Sequence, residues 1–298
     1  MNSNLYTKSS ALTIDVEDGV NIIMRDHFKK EMPPTKRVVQ NVQRLLELFG
    51  EKEVKATFFI LGEIAEHYPR LIKDIASKGH ELGVHGYYHD QIFKLTPDSA
   101  FNNIKRAKTL IEDISGVKVA GFRAPAFSVS ENTSWVFEVL AELDFIYDSS
   151  VVPVKAGRYG WPGFNKDIQK LQLKNDRTII EVPMSVTKFL WKTLPACGGG
   201  YLRYFPYFVT NYAFSKIQKK RSPILYLHPY EIDTGKYPGY FYEAKSALPL
   251  NKRISLSLYR LNKGTVYEKL SRLLDNFTFM PLSNIINIYK ENIKIRAI

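Results

Sequence analysis

The chain has 298 residues, 45% of them apolar and 13% aromatic, which is enough to bury a large core and excludes an intrinsically disordered protein. Its single cysteine, Cys197, excludes an intrachain disulfide and a cysteine-based zinc cluster, so a metal ion would need His, Asp or Glu ligands. The formal net charge of +12 favours anionic partners in general and does not choose among them.

The first half of the sequence alternates between strand and helix patterns. Short apolar runs typical of buried strands occur at 10–15, 54–62, 81–84 and 119–125. Apolar residues at helical spacing lie between and after them, at 37–50, 69–79, 96–116 and 131–145. The third helix pattern has Thr96 as N-cap, Pro97 as first residue and Gly116 as stop. This alternation predicts an α/β fold in which helices wrap a parallel sheet or barrel.

The second half of the sequence is less regular. It contains a Gly- and Pro-rich stretch at 152–165, a strand pattern at 177–185 and another apolar strand pattern at 223–233. No internal repeat and no linker are visible in the sequence. We therefore expect a single domain over residues 1–298.

Ionisable side chains follow the predicted strands at the point where each strand ends. Because active sites of parallel α/β folds lie at the carboxyl ends of the strands, we expect these side chains to come together. They are Asp15, Glu17 and Asp18 after the first strand, His85 and His89 after the third, Arg123 and Asp148 after the next two, and His228 after the last. A carboxylate and two imidazoles are a normal ligand set for a catalytic zinc-like ion, and the His-x-x-x-His spacing predicts two rings on one side of a helical turn.

Five motifs in chain order resemble those of the polysaccharide deacetylases, the NodB-like carbohydrate esterase family. They are "TIDVED" at 13–18, "HGYYH" at 85–89, "RAP" at 123–125, "YDSS" at 147–150 and "LYLH" at 225–228. In this chain Asp15-Val16-Glu17-Asp18 replaces the usual adjacent Asp-Asp, and Gly86 replaces the usual Ser or Thr. With "CGGGYLRYFPY" and "LHPYEID", these departures are similar to the subgroup associated with bacterial exopolysaccharide gene clusters.

The resemblance implies a distorted (β/α) barrel of about seven parallel strands, of the NodB-homology type. The motifs occupy a core at about 10–235. We expect the C-terminal extension at about 236–298 to pack on this core as part of the same domain.

The resemblance also implies that Asp18, His85 and His89 hold a divalent metal ion, most simply zinc, with cobalt, nickel or manganese as alternatives. The carboxylate ligand is the open assignment. Because side chains alternate along a strand, Glu17 would face the same way as Asp15 and could reach the ion. If the chain turns at the end of the strand, Asp18 reaches it instead. We favour Asp18.

The remaining roles follow from the same resemblance. Asp15 would be the general base, oriented by Arg123, and His228 would be the general acid that protonates the leaving amine. Asp148, grouped with these catalytic residues, would hold Arg123 or His228, or else anchor a turn with the two serines that follow it. A backbone N–H just after Arg123 would complete an oxyanion site.

These roles predict metal-dependent hydrolytic N-deacetylation of an N-acetylated amino-sugar glycan or lipid-linked saccharide in bacterial surface polysaccharide biosynthesis. The alternatives are an amidohydrolase acting on a non-sugar amide and a catalytically inactive carbohydrate- or membrane-binding module. Nucleic acid is not an expected partner, because basic and aromatic residues interleave in only one segment and no helix-turn-helix or zinc-finger pattern occurs.

Segment 202–221 is the place where the sequence suggests contact with a membrane. It starts at Leu202, is rich in Tyr and Phe, and ends with the cations Lys216, Lys219, Lys220 and Arg221. It is either an amphipathic helix on an anionic bilayer or a barrel helix with aromatic residues in the core and cations at its C-terminal end. Because the sequence has no signal-peptide pattern and no long apolar run, we expect a cytoplasmic protein. If segment 202–221 is the amphipathic helix, we also expect peripheral association with the inner face of the membrane.

Overall fold

The computed structural model describes residues 9–155, 159–189, 192–195 and 198–297, so Cys197 lies outside the described residues. The strands in these ranges are β1 (Ser9–Val16), β2 (Thr57–Ile60), β3 (Glu81–Val84), β4 (Gly121–Phe122), β5 (Tyr147–Asp148), β6 (Gln169–Gln172), β7 (Thr178–Glu181), β8 (Val186–Phe189), β9 (Lys192–Pro195), β10 (Ile224–Leu227), β11 (Thr278–Met280) and β12 (Lys294–Ala297). The helices are α1 (Gly19–Phe28), α2 (Lys36–Glu51), α3 (Gly62–His67), α4 (Pro69–Ser77), α5 (Pro97–Ser115), α6 (Val136–Glu142), α7 (Gly200–Tyr204), α8 (Tyr207–Gln218), α9 (Gly239–Ser246), α10 (Leu250–Leu258), α11 (Val266–Asn276) and α12 (Leu282–Tyr289).

The main sheet places seven parallel strands side by side. Its order is β10-β1-β2-β3-β4-β5-β7-β6-β12, with β11 alongside the first residues of β1. The strands from β10 to β7 in this order run parallel, whereas β6 runs antiparallel to β7 and β12 pairs with β6. This arrangement confirms the predicted α/β barrel of about seven parallel strands.

The barrel is distorted at the junction between β7 and β10. Within the described ranges no backbone ladder joins these two strands, and the segment that follows β7 lies between them. The backbone N–H of Ile224 donates to Ser185 Oγ at 2.8 Å, and Arg221 Nη2 donates to Val186 O at 3.1 Å. Hydrogen bonds from side chains therefore hold the ring of strands at this junction.

The central strand, β1, is buried along its whole length because β2 and β10 flank it on both sides. A strand in such a position is apolar except where a polar side chain has a specific partner. Thr13 has one, because its hydroxyl donates to Leu225 O at 3.1 Å. Asp15 is the other polar residue near the end of this strand, and β1 therefore delivers a buried carboxylate to the carboxyl edge of the sheet.

The clearest predicted helix, α5, has the caps that its sequence indicates. The Thr96 side chain accepts from Ser99 N, the Ser99 hydroxyl accepts from Thr96 N, and the helix ends at Gly116 with φ of 70°. Its buried residues are Ala100, Ile104, Ala107 and Ile111. This helical spacing packs α5 against α3, α4 and α6 on the outside of the barrel.

The C-terminal extension is built into the barrel. It supplies β11 and β12 to the sheet, and α12 contacts the amino ends of the strands. Leu282 N donates to Thr57 Oγ1 at 2.8 Å, and Ser283 N donates to Glu81 Oε2 at 3.2 Å. Apolar residues of α12 lie in the same buried cluster as Phe59 of β2. Residues from both ends of the chain therefore form one core.

Segment 202–221 contains the end of α7 and all of α8. Helix α8 buries Phe214 but leaves Phe208 and Tyr212 exposed, at 71% and 61% of their surface. Part of the aromatic content of this segment is therefore core, as one of the two alternatives expected, and part faces solvent. Of the helices in the described ranges, none has the length and apolar character needed to cross a bilayer.

Candidate active site

A cavity of about 560 Å³ opens at the carboxyl edge of the parallel strands. The predicted site residues on its wall are Asp15, Glu17, His85, His89 and His228. Much of the remaining wall is aromatic and consists of Phe127, Tyr159, Tyr226, Tyr230 and Tyr259. The barrel therefore brings together, in one cavity, ionisable residues that follow β1, β3 and β10. The sequence indicated this convergence.

Glu17, His85 and His89 form the one cluster of three potential metal ligands among the residues that the structure describes. Glu17 Oε1 lies 2.8 Å from His85 Nε2 and 3.1 Å from His89 Nε2. Burial alone would raise the pKa of Glu17, but the imidazoles of His89 and His228 in particular hold that pKa well below its ordinary value. The cluster therefore presents an ionised carboxylate to two ring nitrogens.

A hydrogen bond behind His85 decides which of its nitrogens can bind a cation. His85 Nδ1 lies 2.8 Å from Arg123 O, and because a carbonyl oxygen only accepts, Nδ1 carries the proton. In the neutral ring, Nε2 then points a lone pair at Glu17 Oε1, which is also an acceptor. Two acceptors this close need a cation or a proton between them. Because a carboxylate and two imidazoles suit zinc and similar ions, the residues present fit a divalent metal ion.

Asp18 does not join this cluster, and the expectation that it would is wrong. Side-chain alternation continues one residue beyond β1, so Glu17 faces the cavity together with Asp15 before the chain turns. Asp18 is instead the N-cap of α1, where its Oδ1 accepts from Val20 N at 2.9 Å and its Oδ2 accepts from Thr35 N. Both oxygens are committed to backbone N–H groups, so the alternative residue, Glu17, stands beside the histidines.

The histidine pair lies on a loop, which corrects the prediction of a helical turn. Gly86 and His89 have φ of 79° and 64°, left-handed values that are incompatible with a continuing helix. Helix α5 holds the loop through Asn103 Oδ1, which accepts from the amide that follows Gly86 at 2.9 Å. The ring centroids of His85 and His89 are 5.7 Å apart. The left-handed residue turns His89 back toward Glu17, and this backbone strain is typical of functional sites.

Arg123 is fully buried behind Asp15 and fixes its orientation. Arg123 Nη1 donates to Asp15 Oδ1 at 2.7 Å and to Thr13 Oγ1 at 2.8 Å. Arg123 Nε donates to Ser149 O at 3.0 Å, and its guanidinium carbon lies 4.3 Å from the centroid of the Phe59 ring. The predicted contact between Arg123 and Asp15 is therefore present, and the guanidinium engages only one of the two carboxylate oxygens in this pair.

His228 follows β10 and lies beside both carboxylates. Its Nε2 is 3.9 Å from Asp15 Oδ2 and 3.9 Å from Glu17 Oε2. Its Nδ1 is 3.4 Å from Glu231 Oε2, and its ring stacks on Tyr230 with centroids 4.8 Å apart and planes 13° apart. Burial lowers the pKa of His228, but the surrounding carboxylates, Glu17 first, outweigh burial and raise this pKa to about 9. The imidazolium form is therefore present at neutral pH.

Asp148 does not line the cavity, so the structure corrects its grouping with the catalytic residues and supports the alternative role of a turn anchor. It is fully buried, and its oxygens accept from the N–H and the hydroxyl of Ser150 at 3.1 and 2.6 Å, the arrangement of a turn anchor. Burial raises the pKa of Asp148, and burial with repulsion from Asp148 raises the pKa of Glu181 well above its ordinary value. Ser150 Oγ also accepts from Ala124 N at 2.7 Å. The amide just after Arg123 is therefore already engaged and does not provide the expected oxyanion donor.

The sequence motifs missed a buried ion pair behind His228. Arg203 Nε lies 3.3 Å from Glu231 Oε1, and Glu231 Oε2 accepts from His228 N at 3.1 Å. Glu231 follows His228 at the three-residue spacing of a capping box, with Pro229 between them, and this spacing could have identified it. Arg203 gives no local signal, because the fold brings it from α7.

Comparison with protein-family models identifies the family of the half that carries Asp15, Glu17 and the histidine pair. Residues 7–145 match the model described as Polysaccharide deacetylase. The first half belongs to the polysaccharide deacetylase family. Residues 149–287 match a second model, described as a domain of unknown function (DUF3473), which is the domain of the exopolysaccharide-associated subgroup. The predicted resemblance to the polysaccharide deacetylases is confirmed at the level of the family.

Relatives of the deacetylase family align with parts of the chain. It is 34% identical over 96 residues to a peptidoglycan-N-acetylglucosamine deacetylase of Bacillus cereus, covering 32% of this chain and 35% of the relative. It is 31% identical over 136 residues to a peptidoglycan deacetylase of Helicobacter pylori, covering 46% of this chain and 43% of the relative. In each case the chain spans less than half of the relative's length.

Solved structures share the fold over nearly the whole chain. A crystal structure from Mycobacterium smegmatis, assigned as a polysaccharide deacetylase, gives a TM-score of 0.67 at 21% identity, over 100% of this chain and 96% of that chain. The crystal structure of Puue allantoinase gives a TM-score of 0.62 at 13% identity, over 97% and 92% of the two chains. At these identities the likeness establishes the barrel fold.

Proposed function

We propose that the protein hydrolyses the N-acetyl amide of an amino-sugar substrate with the help of a divalent metal ion. The observation that carries this proposal is the position of Glu17 Oε1 within 3.1 Å of two imidazole nitrogens, in a cavity that also contains Asp15. The family of the first half and the deacetylases among the relatives support the reaction class. The exopolysaccharide-associated domain supports a role in bacterial surface polysaccharide biosynthesis.

The metal ligands and the base stand on one wall of the cavity. Glu17, His85 and His89 would hold the ion, most simply zinc, which when bound polarises an amide carbonyl and makes water a better nucleophile. Asp15 accepts the proton of the attacking water at Oδ2, because Arg123 already engages its Oδ1. The buried guanidinium keeps Asp15 in this orientation throughout the reaction.

His228 supplies the proton that the leaving group needs. An amine anion is too basic to depart by itself, so the C–N bond breaks as His228 Nε2 donates its proton to the nitrogen. Glu231, whose Oε2 lies 3.4 Å from Nδ1, favours the protonated ring, and Asp15 Oδ2 lies 3.9 Å from Nε2 to return a proton afterwards. Water and the amide thereby give acetate and a free amino group, with the proton from water passing to the amine.

The aromatic wall of the cavity supports a saccharide substrate. Tyr226, Tyr230 and Tyr259 combine apolar ring surface with hydroxyl groups, which suits the apolar faces and hydroxyls of a sugar ring. The volume of about 560 Å³ is that of a small-molecule site. We therefore propose that one acetylated sugar unit enters at a time, while the rest of the glycan or its lipid carrier stays outside.

Acetate release tests this proposal. Purified protein loaded with zinc, cobalt, nickel or manganese is incubated with an N-acetylglucosamine oligomer, and the rate is compared with that of His85→Ala. We expect release by the wild type and a loss of about a thousandfold or more in the variant, because an ion that is worth several kcal/mol is lost. His67→Ala, at an exposed histidine outside the cavity wall, should release acetate at the wild-type rate. Equal rates for wild type and His85→Ala would show that the mechanism is wrong.

The same assay separates two alternatives. An amidohydrolase for non-sugar amides would leave acetylated sugars intact and hydrolyse cyclic amides such as allantoin, a comparison that the fold shared with an allantoinase makes worth including. An inactive carbohydrate- or membrane-binding module would bind saccharide without metal. The convergence of Glu17, His85 and His89 disfavours this module, because binding alone does not require three clustered ligands.

A further inference from the structure

Helix α10 turns most of its apolar residues toward solvent. Leu250, Ile254 and Leu258 repeat every four residues and are 68%, 55% and 47% exposed. The one buried residue of the helix, Leu256, packs from the opposite face onto the cluster that contains α1 and α9 residues. Three exposed aliphatic side chains in one row are more than the core contact of this helix requires.

This exposed row continues onto α7. Tyr204 is 45% exposed, and its hydroxyl donates to Leu258 O at 3.0 Å. Arg203 Nη1 donates to Tyr259 O at 2.6 Å, which fixes the end of α10 against α7. Leu261, three residues beyond Leu258, is 46% exposed. We call Tyr204, Leu250, Ile254, Leu258 and Leu261 the α10 face.

The segment that carries the α10 face is basic, although the exposed Glu243 lies on the neighbouring helix α9. Residues 244–265 contain no Asp or Glu, and their exposed or half-buried cations are Lys245, Lys252, Arg253 and Arg260, whereas Lys263 is buried. Residues 182–230, which include α7 and α8, also contain no Asp or Glu. Lys252 and Arg253 are exposed on α10 itself. An apolar row with basic residues around it matches the surface of an anionic bilayer, which offers apolar chains beneath negative head groups.

The α10 face also lies beside the mouth of the proposed active site. Tyr259, the residue after Leu258, lines the cavity that contains Glu17 and the histidine pair. A surface that rests on the α10 face would therefore place its head groups next to this cavity. A sugar carried on a lipid would have a short path from such a surface to Asp15 and His228.

We propose that the α10 face docks on an anionic phospholipid bilayer and that the substrate is a lipid-linked saccharide presented there. The choice of substrate rests on the proposed deacetylase function, whereas the docking does not. Docking joins two contributions, burial of the apolar row and attraction between the cations and anionic head groups. Binding should therefore need both the row and the negative charge, and it should weaken as salt is raised.

Vesicle sedimentation tests the docking. Full-length protein is mixed with phosphatidylcholine vesicles containing about one third phosphatidylglycerol, or with phosphatidylcholine vesicles alone. We expect the wild type to sediment with the anionic vesicles, and the triple variant Leu250→Ser, Ile254→Ser, Leu258→Ser to bind about tenfold or more weakly. The matched control, Val117→Ser, Ile146→Ser, Ile295→Ser, removes three exposed aliphatic residues elsewhere and should bind as the wild type does.

Three results would overturn the docking. The wild type could fail to sediment with anionic vesicles, or both triple variants could lose binding alike. The α10 triple variant could instead convert a wild-type dimer into a monomer, which would make the α10 face a contact between two copies of this chain.

Acetate release from a soluble N-acetylglucosamine oligomer, without vesicles, separates the docking from the proposed function. The α10 triple variant should keep the wild-type rate there and fall behind it only with a lipid-linked acetylated sugar in anionic vesicles. If the wild type binds vesicles but releases no acetate, the deacetylase function fails and the docking stands. If the α10 triple variant processes the lipid-linked sugar as fast as the wild type does, the substrate assignment is overturned.

Discussion

The carboxyl and amino edges of the parallel sheet use the same kinds of polar residue, carboxylates and histidines, in opposite ways. At the carboxyl edge, Asp15 and Glu17 face a cavity, and Glu17 Oε1 meets two imidazole nitrogens. At the amino edge, Glu81 Oε2 accepts from Thr57 Oγ1 at 2.6 Å and Glu81 Oε1 accepts from Tyr147 OH at 2.9 Å. The partners of Glu81 are donors, whereas Glu17 is surrounded by groups that can share a cation.

The histidines at the two edges differ in the same way. His80 Nδ1 accepts from Ala56 N at 3.2 Å, and its ring packs 5.0 Å from the ring of Phe58. His85 instead has its Nδ1 against a carbonyl oxygen, which leaves Nε2 directed at Glu17. A buried polar residue whose partners complement it holds the fold, whereas one that leaves a lone pair aimed at another acceptor marks a binding site.

The largest expected effect comes from the carboxylate that acts as the base. Asp15→Asn keeps the size of the side chain and an oxygen for Arg123, but it cannot take up the proton from water. We expect the kcat of acetate release to fall by about a thousandfold, while zinc affinity measured by calorimetry stays close to that of the wild type. Glu81→Gln is the matched change at the amino edge, and it should lower stability while the folded protein keeps its kcat. A similar loss of kcat in both variants would remove the functional distinction between the edges.

A smaller effect is expected from His80, through the pH dependence of stability. Burial, aided by Lys55 and Lys78, lowers the pKa of His80 from 6.5 to about 4. Between these two values the unfolded chain binds the proton and the folded chain does not, so stability is lost as pH falls through this window. The loss is about 3 kcal/mol in the free energy of unfolding.

His80→Asn keeps an acceptor near Ala56 N and cannot titrate, so its stability should change less than that of the wild type between these pH values. Urea unfolding at several pH values measures the difference. His67→Asn is the control at an exposed position and should follow the wild type. Parallel stability curves for wild type and His80→Asn would contradict the assignment of His80 as a buried neutral residue.

The smallest effect is expected from Asp18. It lies at the carboxyl edge, but both of its oxygens accept hydrogen bonds from donors, as those of Glu81 do at the amino edge. Asp18→Ala removes the N-cap of α1 and should lower the free energy of unfolding by about 1 kcal/mol, up to about 2. Thermal denaturation measures this change. Acetate release at saturating zinc should remain close to the wild-type rate. A variant that is fully stable but inactive would mean that Asp18 belongs to the site.

The parts of the structure that the sequence predicts well are those with local causes. Helix α5 has its caps in the sequence, and the parallel strands appear as apolar runs because both of their faces are buried. The placement of Asp15, His85 and His228 at one edge follows from the parallel order of the strands. These features need no knowledge of distant residues.

The errors occur where the chain changes direction. The alternation of side chains along β1 decides whether Glu17 or Asp18 faces the cavity, and it ends where α1 begins. The sequence pattern did not identify α1. The N-cap preference of Asp for the start of a helix could have separated Asp18 from the ligands. The left-handed conformation of His89 and the approach of Arg203 to Glu231 depend on tertiary contacts, so no local pattern predicts them.

Zinc titration of metal-free protein tests the central claim most directly, because Glu17 and Asp18 are neighbours in sequence with opposite assignments. Calorimetry compares the wild type with Glu17→Gln and Asp18→Asn, since Asn can still cap α1. We expect a single zinc ion per chain, affinity weakened about a hundredfold or more in Glu17→Gln, and nearly unchanged affinity in Asp18→Asn. Loss of zinc binding in Asp18→Asn with retention in Glu17→Gln would contradict this account of the site.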